Sequence, residues 1–135
     1  MFVYLSIINP KNKIMLVSDV LYQFHTLNDW GFEFEELDEL TVKQLADKFE
    51  VENHKRYFVV KIPFIGGPEA DIKKWNKLND VSIKATNFLN KEGIKMGDIG
   101  SGYGGEYRDY YFQFENLDDR EKYRDIINDM FEEVL

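Results

Sequence analysis

The chain has 135 residues, 44% of them hydrophobic and 16% aromatic, with no cysteine and a net charge of −8. From that length and apolar content a single domain, residues 1–135, is the simplest expectation, with enough chain for an ordinary core, and an intrinsically disordered protein is excluded. The lack of cysteine excludes a disulfide framework and thiolate chemistry, and the negative charge repels phosphate backbones, which excludes broad nucleic-acid binding.

In chain order, residues 2–20 suggest two short strands around the turn formers Asn9, Pro10 and Asn12. This apolar start has no basic residue before it and no small-residue cleavage site, so a strand is expected there and not a signal peptide. No apolar run reaches the roughly 20 residues needed to cross a bilayer, and no membrane association is expected. The segment from Leu21 has weak periodicity and suggests an irregular stretch around Asn28 to Gly31, then a short alternating strand from Phe32 to Glu36. Residues 40–51 predict a helix, because Thr41 and Gln44 stand at capping-box spacing and Leu45 and Phe49 share an edge.

Residues 56–64 form the clearest strand, with Phe58, Val60, Ile62 and Phe64 alternating against Tyr57, Val59 and Lys61. A turn at Ile65–Pro68 leads to a helix over 69–91, whose stripe is Leu78, Val81, Ala85, Phe88 and Leu89, with Gly93 as its stop. A glycine-rich loop over 97–105 enters a strand at 107–114, and Asn116 caps a last helix with Tyr123, Ile126, Ile127, Met130, Phe131 and Val134 on one face. Phe58, Val60, Ile62, Ile126, Ile127 and Phe131 are expected to be buried together. The fold class expected is α+β: a mainly antiparallel sheet of four to five strands with about three helices on one face, for which a ferredoxin-like arrangement is one closure.

Gly100, Gly102 and Gly105 match G-x-G-x-x-G, but a helix precedes them and a strand follows. A dinucleotide site needs the reverse order, so that the helix N-terminus can meet the pyrophosphate. Two uses remain. Four glycines between 100 and 105 suggest a backbone need for positive φ, at Gly102 or Gly104 in particular. Alternatively Gly100, Ser101, Gly102, Tyr103 and Gly104, with Arg108 behind them, could hold a small ligand or nucleotide. Glycine and serine beside rigid tyrosine is also the composition of a protein-binding loop.

Elsewhere the signals for chemistry are weak. His25 and His54 each stand alone, no serine lies in G-x-S-x-G, and Asp98, Glu106 and Asp109 lack calcium-loop spacing. No catalytic set, metal site or cofactor is expected. The densest acidic run is Glu33, Glu35, Glu36, Asp38 and Glu39, with Trp30 beside it as an aromatic anchor. Such a run is either a solvated surface or a negative patch that steers a protein partner with a basic surface. The function expected is a small, acidic, non-enzymatic cytoplasmic binding domain of the immunity-protein, antitoxin or phage anti-defence kind. The alternative is a small-molecule or nucleotide binder, or an enzyme, built on the glycine-rich segment and Arg108.

Overall fold

The structure is a computed structural model that describes Ile7–Ile8 and residues 14–135. Two units build it, Met1–Lys55 and Arg56–Leu135. In the first unit, β1 (Ile7–Ile8) and β2 (Ile14–Met15) form an antiparallel pair of their own. The turn residues expected between them lie outside the described residues. The second strand is shorter than expected because a helix, α1 (Val17–Asp29), starts where it was to continue. The Asp19 carboxylate accepts from the Leu16 backbone N–H at 3.3 Å and fixes that start.

Two further helices complete this unit. The predicted strand over 32–36 is corrected: Phe34–Asp38 is a single helical stretch, α2. Its Leu37 is buried, whereas an alternating strand would have turned Phe34 inward. In α3 (Val42–Lys55) the capping box forms as expected, with Thr41 N–H donating to Gln44 Oε1 at 3.0 Å and Gln44 N–H to Thr41 Oγ1 at 3.1 Å. Leu27, Leu37 and Leu45, one from each helix, make a small core ringed by Val20, Phe24, Trp30, Phe32, Leu40 and Phe49.

The second unit runs β-α-β-β-α: β3 (Tyr57–Pro63), α4 (Ile72–Lys91), β4 (Met96–Gly104), β5 (Tyr107–Phe114) and α5 (Leu117–Glu132). Its sheet has three strands in the order β3-β5-β4, all neighbours antiparallel. The expectation of four to five strands, about three helices and a ferredoxin-like closure is therefore corrected; the α+β class stands, with a three-stranded antiparallel sheet and, among the described residues, five helices. The described residues up to Asp38 supply the separate β1–β2 pair and two helices in place of further strands of the main sheet.

Strand β3 alternates as its sequence predicts: Val60 and Ile62 are buried, Val59 and Lys61 exposed. Helix α4 starts at Ile72, later than expected, because the Asp71 carboxylate accepts from Lys74 N–H at 3.0 Å and makes Asp71 the N-cap. Gly93, at φ +75°, ends it. Asn116 Oδ1 accepts from Asp118 N–H at 2.8 Å at the start of α5. On α5, Tyr123, Ile127 and Phe131 are buried at intervals of four and pack with Val60, Ile62, Phe64, Leu78, Leu89, Tyr110, Phe112 and Phe114. Ile126 is corrected: it is 40% exposed, because it lies at the edge of the stripe that Tyr123, Ile127 and Phe131 centre.

Candidate functional site

Two surfaces carry the residues singled out by sequence, one in each unit. In the first unit, Glu33, Glu35, Glu36, Asp38 and Glu39 all lie exposed on and beside α2. Two hydrophobics three residues apart hold this helix down. Leu37 enters the core and Phe34, 45% exposed, stacks on Phe24 at 5.3 Å. The carboxylates therefore project outward from a pinned segment. Among the described residues one ion pair touches them, Lys48 Nζ to Glu36 Oε1 at 3.8 Å, and Lys48 also sits 4.1 Å above the Phe32 ring. Residues 1–55 hold ten acidic and five basic residues, against fifteen and twelve in the rest, so charge is concentrated here. Trp30 is placed differently from its neighbours: it is half-buried, stacked on Phe49 at 5.8 Å, and belongs to the unit's core.

In the second unit the expected glycine-rich loop is a strand. Gly97, Gly100, Gly102 and Gly104 lie in β4, and neither Gly102 nor Gly104 has positive φ. That expectation is corrected. The conformational need falls on the two-residue turn that joins β4 to β5, where Gly105 is at φ +57° and Glu106 at φ +67°. Positive φ at both central residues is what a tight hairpin between right-twisted strands requires.

The strand glycines have a different use. Gly100, Gly102 and Gly104 stand opposite Tyr111, Asp109 and Tyr107 of β5, on the sheet face away from the core. A Cβ at Gly97 would lie 2.5 Å from Gln113 Oε1, and one at Gly100 would overlap the Tyr111 ring. Those side chains cross β4 where glycine leaves room, and Gln113 Oε1 accepts from Asp98 N–H at 3.0 Å on the way. Gly102 and Gly104 have open space above them.

Arg108, Tyr103 and Ser101 point to the opposite, helix-covered face, so the six residues expected to form one ligand loop are split between two faces. Arg108 is 7% exposed. It donates to Tyr110 Oη at 3.1 Å, the Gly102 carbonyl at 3.2 Å and Asn79 Oδ1 at 2.8 Å, and its guanidinium lies 4.0 Å from the Trp75 ring. The Tyr110 hydroxyl donates to the same Asn79 oxygen at 2.5 Å. Burial raises the Tyr110 phenol above its usual 10.0, with the Arg108 hydrogen bond and charge opposing. Tyr103 donates to the Phe64 carbonyl at 3.1 Å and packs edge-on against Trp75. Trp75, Asn79 and Tyr110 were not expected at this cluster. The available signal was spacing: Asn79 follows Trp75 by four residues, one helical turn further along the inward face of α4.

His25 and His54 are exposed, and among the described residues no three His, Asp or Glu side chains converge as metal ligands. Among them, too, no helix is long and apolar enough to cross a membrane. Comparison with protein-family models, curated proteins and solved structures finds no match.

Proposed function

We propose that this chain is a non-enzymatic binding protein that docks its acidic α2 surface onto a protein partner with a basic surface. The observation that carries the reading is the set Glu33, Glu35, Glu36, Asp38 and Glu39: five exposed carboxylates on a pinned segment with, among the described residues, one long ion pair, from Glu36 to Lys48. Self-repulsion in such a cluster is a standing cost, and a complementary positive surface removes it while raising the association rate. Exposed Phe34 in the middle of the run, and Leu21 and Tyr22 at 52% and 63% exposure on α1, supply apolar contact area. A cysteine-free acidic chain of this size fits a cytoplasmic inhibitor of a basic protein, such as a nuclease whose groove would otherwise hold nucleic acid.

The test is capture of partners from extracts of the native host by the wild type and by a variant carrying Glu33→Gln, Glu35→Gln, Glu36→Gln, Asp38→Asn and Glu39→Gln. A basic protein retained by the wild type and lost by the variant is expected. Equal retention by both, or a neutral or acidic partner, would refute the reading.

One observation favours a second reading, a small anion or nucleotide at Arg108. Among the described residues its three hydrogen bonds all go to uncharged acceptors, no carboxylate lies within ion-pair distance of it, and two of its five N–H groups make no bond. A thermal-shift series with phosphate and nucleotides, on wild type and Arg108→Met, tests it. Stabilisation of the wild type alone is expected on that reading, and no shift in either would refute it.

A further inference from the structure

The face of β4 away from the core is open above Gly102 and Gly104. Two of its glycines are crossed by side chains from β5, Gly97 by Gln113 and Gly100 by Tyr111. Gly102 is crossed by nothing, and its partner across the ladder is Asp109, whose side chain is too short to repeat the pattern. Asp109 Oδ1 is shielded from water and has no hydrogen-bond partner among the described residues. Lys61 stands opposite Asp109 on the other side, but its ammonium sits 4.5 Å over the Tyr107 ring. A carboxylate partly withdrawn from water interacts more strongly with a nearby cation than a fully solvated one does.

The edge of the sheet beside Gly102 is equally unfinished. Strand β4 pairs with β5 on one side, and among the described residues no strand pairs with its other side. The opposite edge, β3, carries Lys61 and Pro63, both of which discourage strand addition. From Ile99 to Gly104 the β4 edge has neither proline nor charge.

We infer that an extended segment of a partner protein adds to the β4 edge as a fourth strand and lays a lysine or arginine across Gly102 toward the partly exposed Asp109 carboxylate. Two strand spacings amount to about 9–10 Å, a gap that a long basic side chain and an aspartate bridge together when glycine stands between them. Tyr107 and Tyr111 flank Asp109 on the same face and offer ring surfaces to the stem and cation. The neighbouring acids Asp98 and Glu106 are exposed and favour the same sign of guest, whereas a second copy of this chain, at net charge −8, would bring like charge. Main-chain ladder bonds would supply affinity, and the cation over Gly102 would supply specificity. This inference stands on residues of the second unit and does not need the α2 surface.

The test is a nuclear magnetic resonance titration of the full chain with an alternating threonine–lysine heptapeptide, and with its threonine–glutamate counterpart. Saturable shifts at the amides of residues 99–104 and 107–111 are expected with the lysine peptide alone. Asp109→Asn should weaken that binding about tenfold by removing the negative charge that the cation meets. Gly102→Val, which meets open space in the folded chain, should abolish it while leaving the rest of the spectrum in place. No shifts at these amides, equal shifts with the glutamate peptide, or binding indifferent to Asp109→Asn would overturn the inference. Shifts confined to residues 33–39 would do so too, while supporting the α2 surface.

Discussion

Ile126 and Ile127 are neighbours on α5 with opposite environments, which gives a sharp test of the core. Ile127 has no exposed surface; Ile126 is 40% exposed. Truncating either to alanine removes three carbon atoms. At roughly 0.8 kcal/mol per buried methylene, the transfer loss at Ile127 is about 2.4 kcal/mol, and the cavity left among Tyr123, Phe131 and the sheet raises it into the range of about 2–5 kcal/mol. At Ile126 part of that surface is already wet and no closed cavity forms, so the cost should stay below about 1.5 kcal/mol. The two tryptophans, Trp30 and Trp75, fall in different units. In a Trp30→Phe background the fluorescence of Trp75 therefore reports the second unit during urea unfolding, with stability taken from midpoints at unchanged m. Equal losses at the two positions, or a loss at Ile127 below about 1 kcal/mol, would refute the assignment of the stripe.

Three more outcomes follow from the hairpin and its neighbours. Gly100→Ala should destabilise by about 1–3 kcal/mol, since its Cβ overlaps the Tyr111 ring, whereas Gly102→Ala, in open space, should be neutral or stabilising by up to about 1 kcal/mol; paired thermal melts check the difference. Glu106→Gly should stabilise the second unit by less than about 1 kcal/mol, because relief of roughly 1–2 kcal/mol of strain at φ +67° outweighs the added freedom of the unfolded chain; urea midpoints check it. Tyr110 holds its proton more tightly folded than unfolded, so its contribution to stability is complete below about pH 10 and is lost as pH rises through its raised folded value; Tyr110→Phe should remove that part of the alkaline decline and one late-titrating phenol from the ultraviolet titration.

The parts of the fold legible in the sequence are those whose periodicity is clean. β3, α4 and α5 each bury one consistent stripe, and their caps at Asn116 and Gly93 use standard chemistry. α1 was hidden because Val20, Phe24 and Leu27 form its inner edge while Leu21 and Tyr22, equally apolar, stay exposed and blur the pattern. Phe32-Glu33-Phe34-Glu35 alternates like a strand, but the burial of Leu37 and the stacking of Phe34 on Phe24 favour a helical turn, a tertiary effect that local propensity does not carry. The exposed acids were legible as a run. The glycines of β4 were legible as unusual but not as strand residues, because the side chains that explain Gly97 and Gly100 come from the facing strand. Arg108 stands out in the sequence, but its burial and its neutral partners Asn79 and Tyr110 depend on a register no local pattern reveals.

The proposal that the α2 surface docks on a basic protein is tested most directly by the association rate with the captured partner, measured by stopped flow at low and at high salt. Surface charges act beyond contact only over about 8 Å at physiological ionic strength, so added salt should slow association steeply. The variant with Glu33, Glu35, Glu36, Asp38 and Glu39 neutralised should associate about tenfold or more slowly at low salt, lose most of the salt dependence and unfold at nearly the wild-type midpoint, because exposed charges contribute little to stability. An association rate that is the same in both proteins and indifferent to salt would contradict the account.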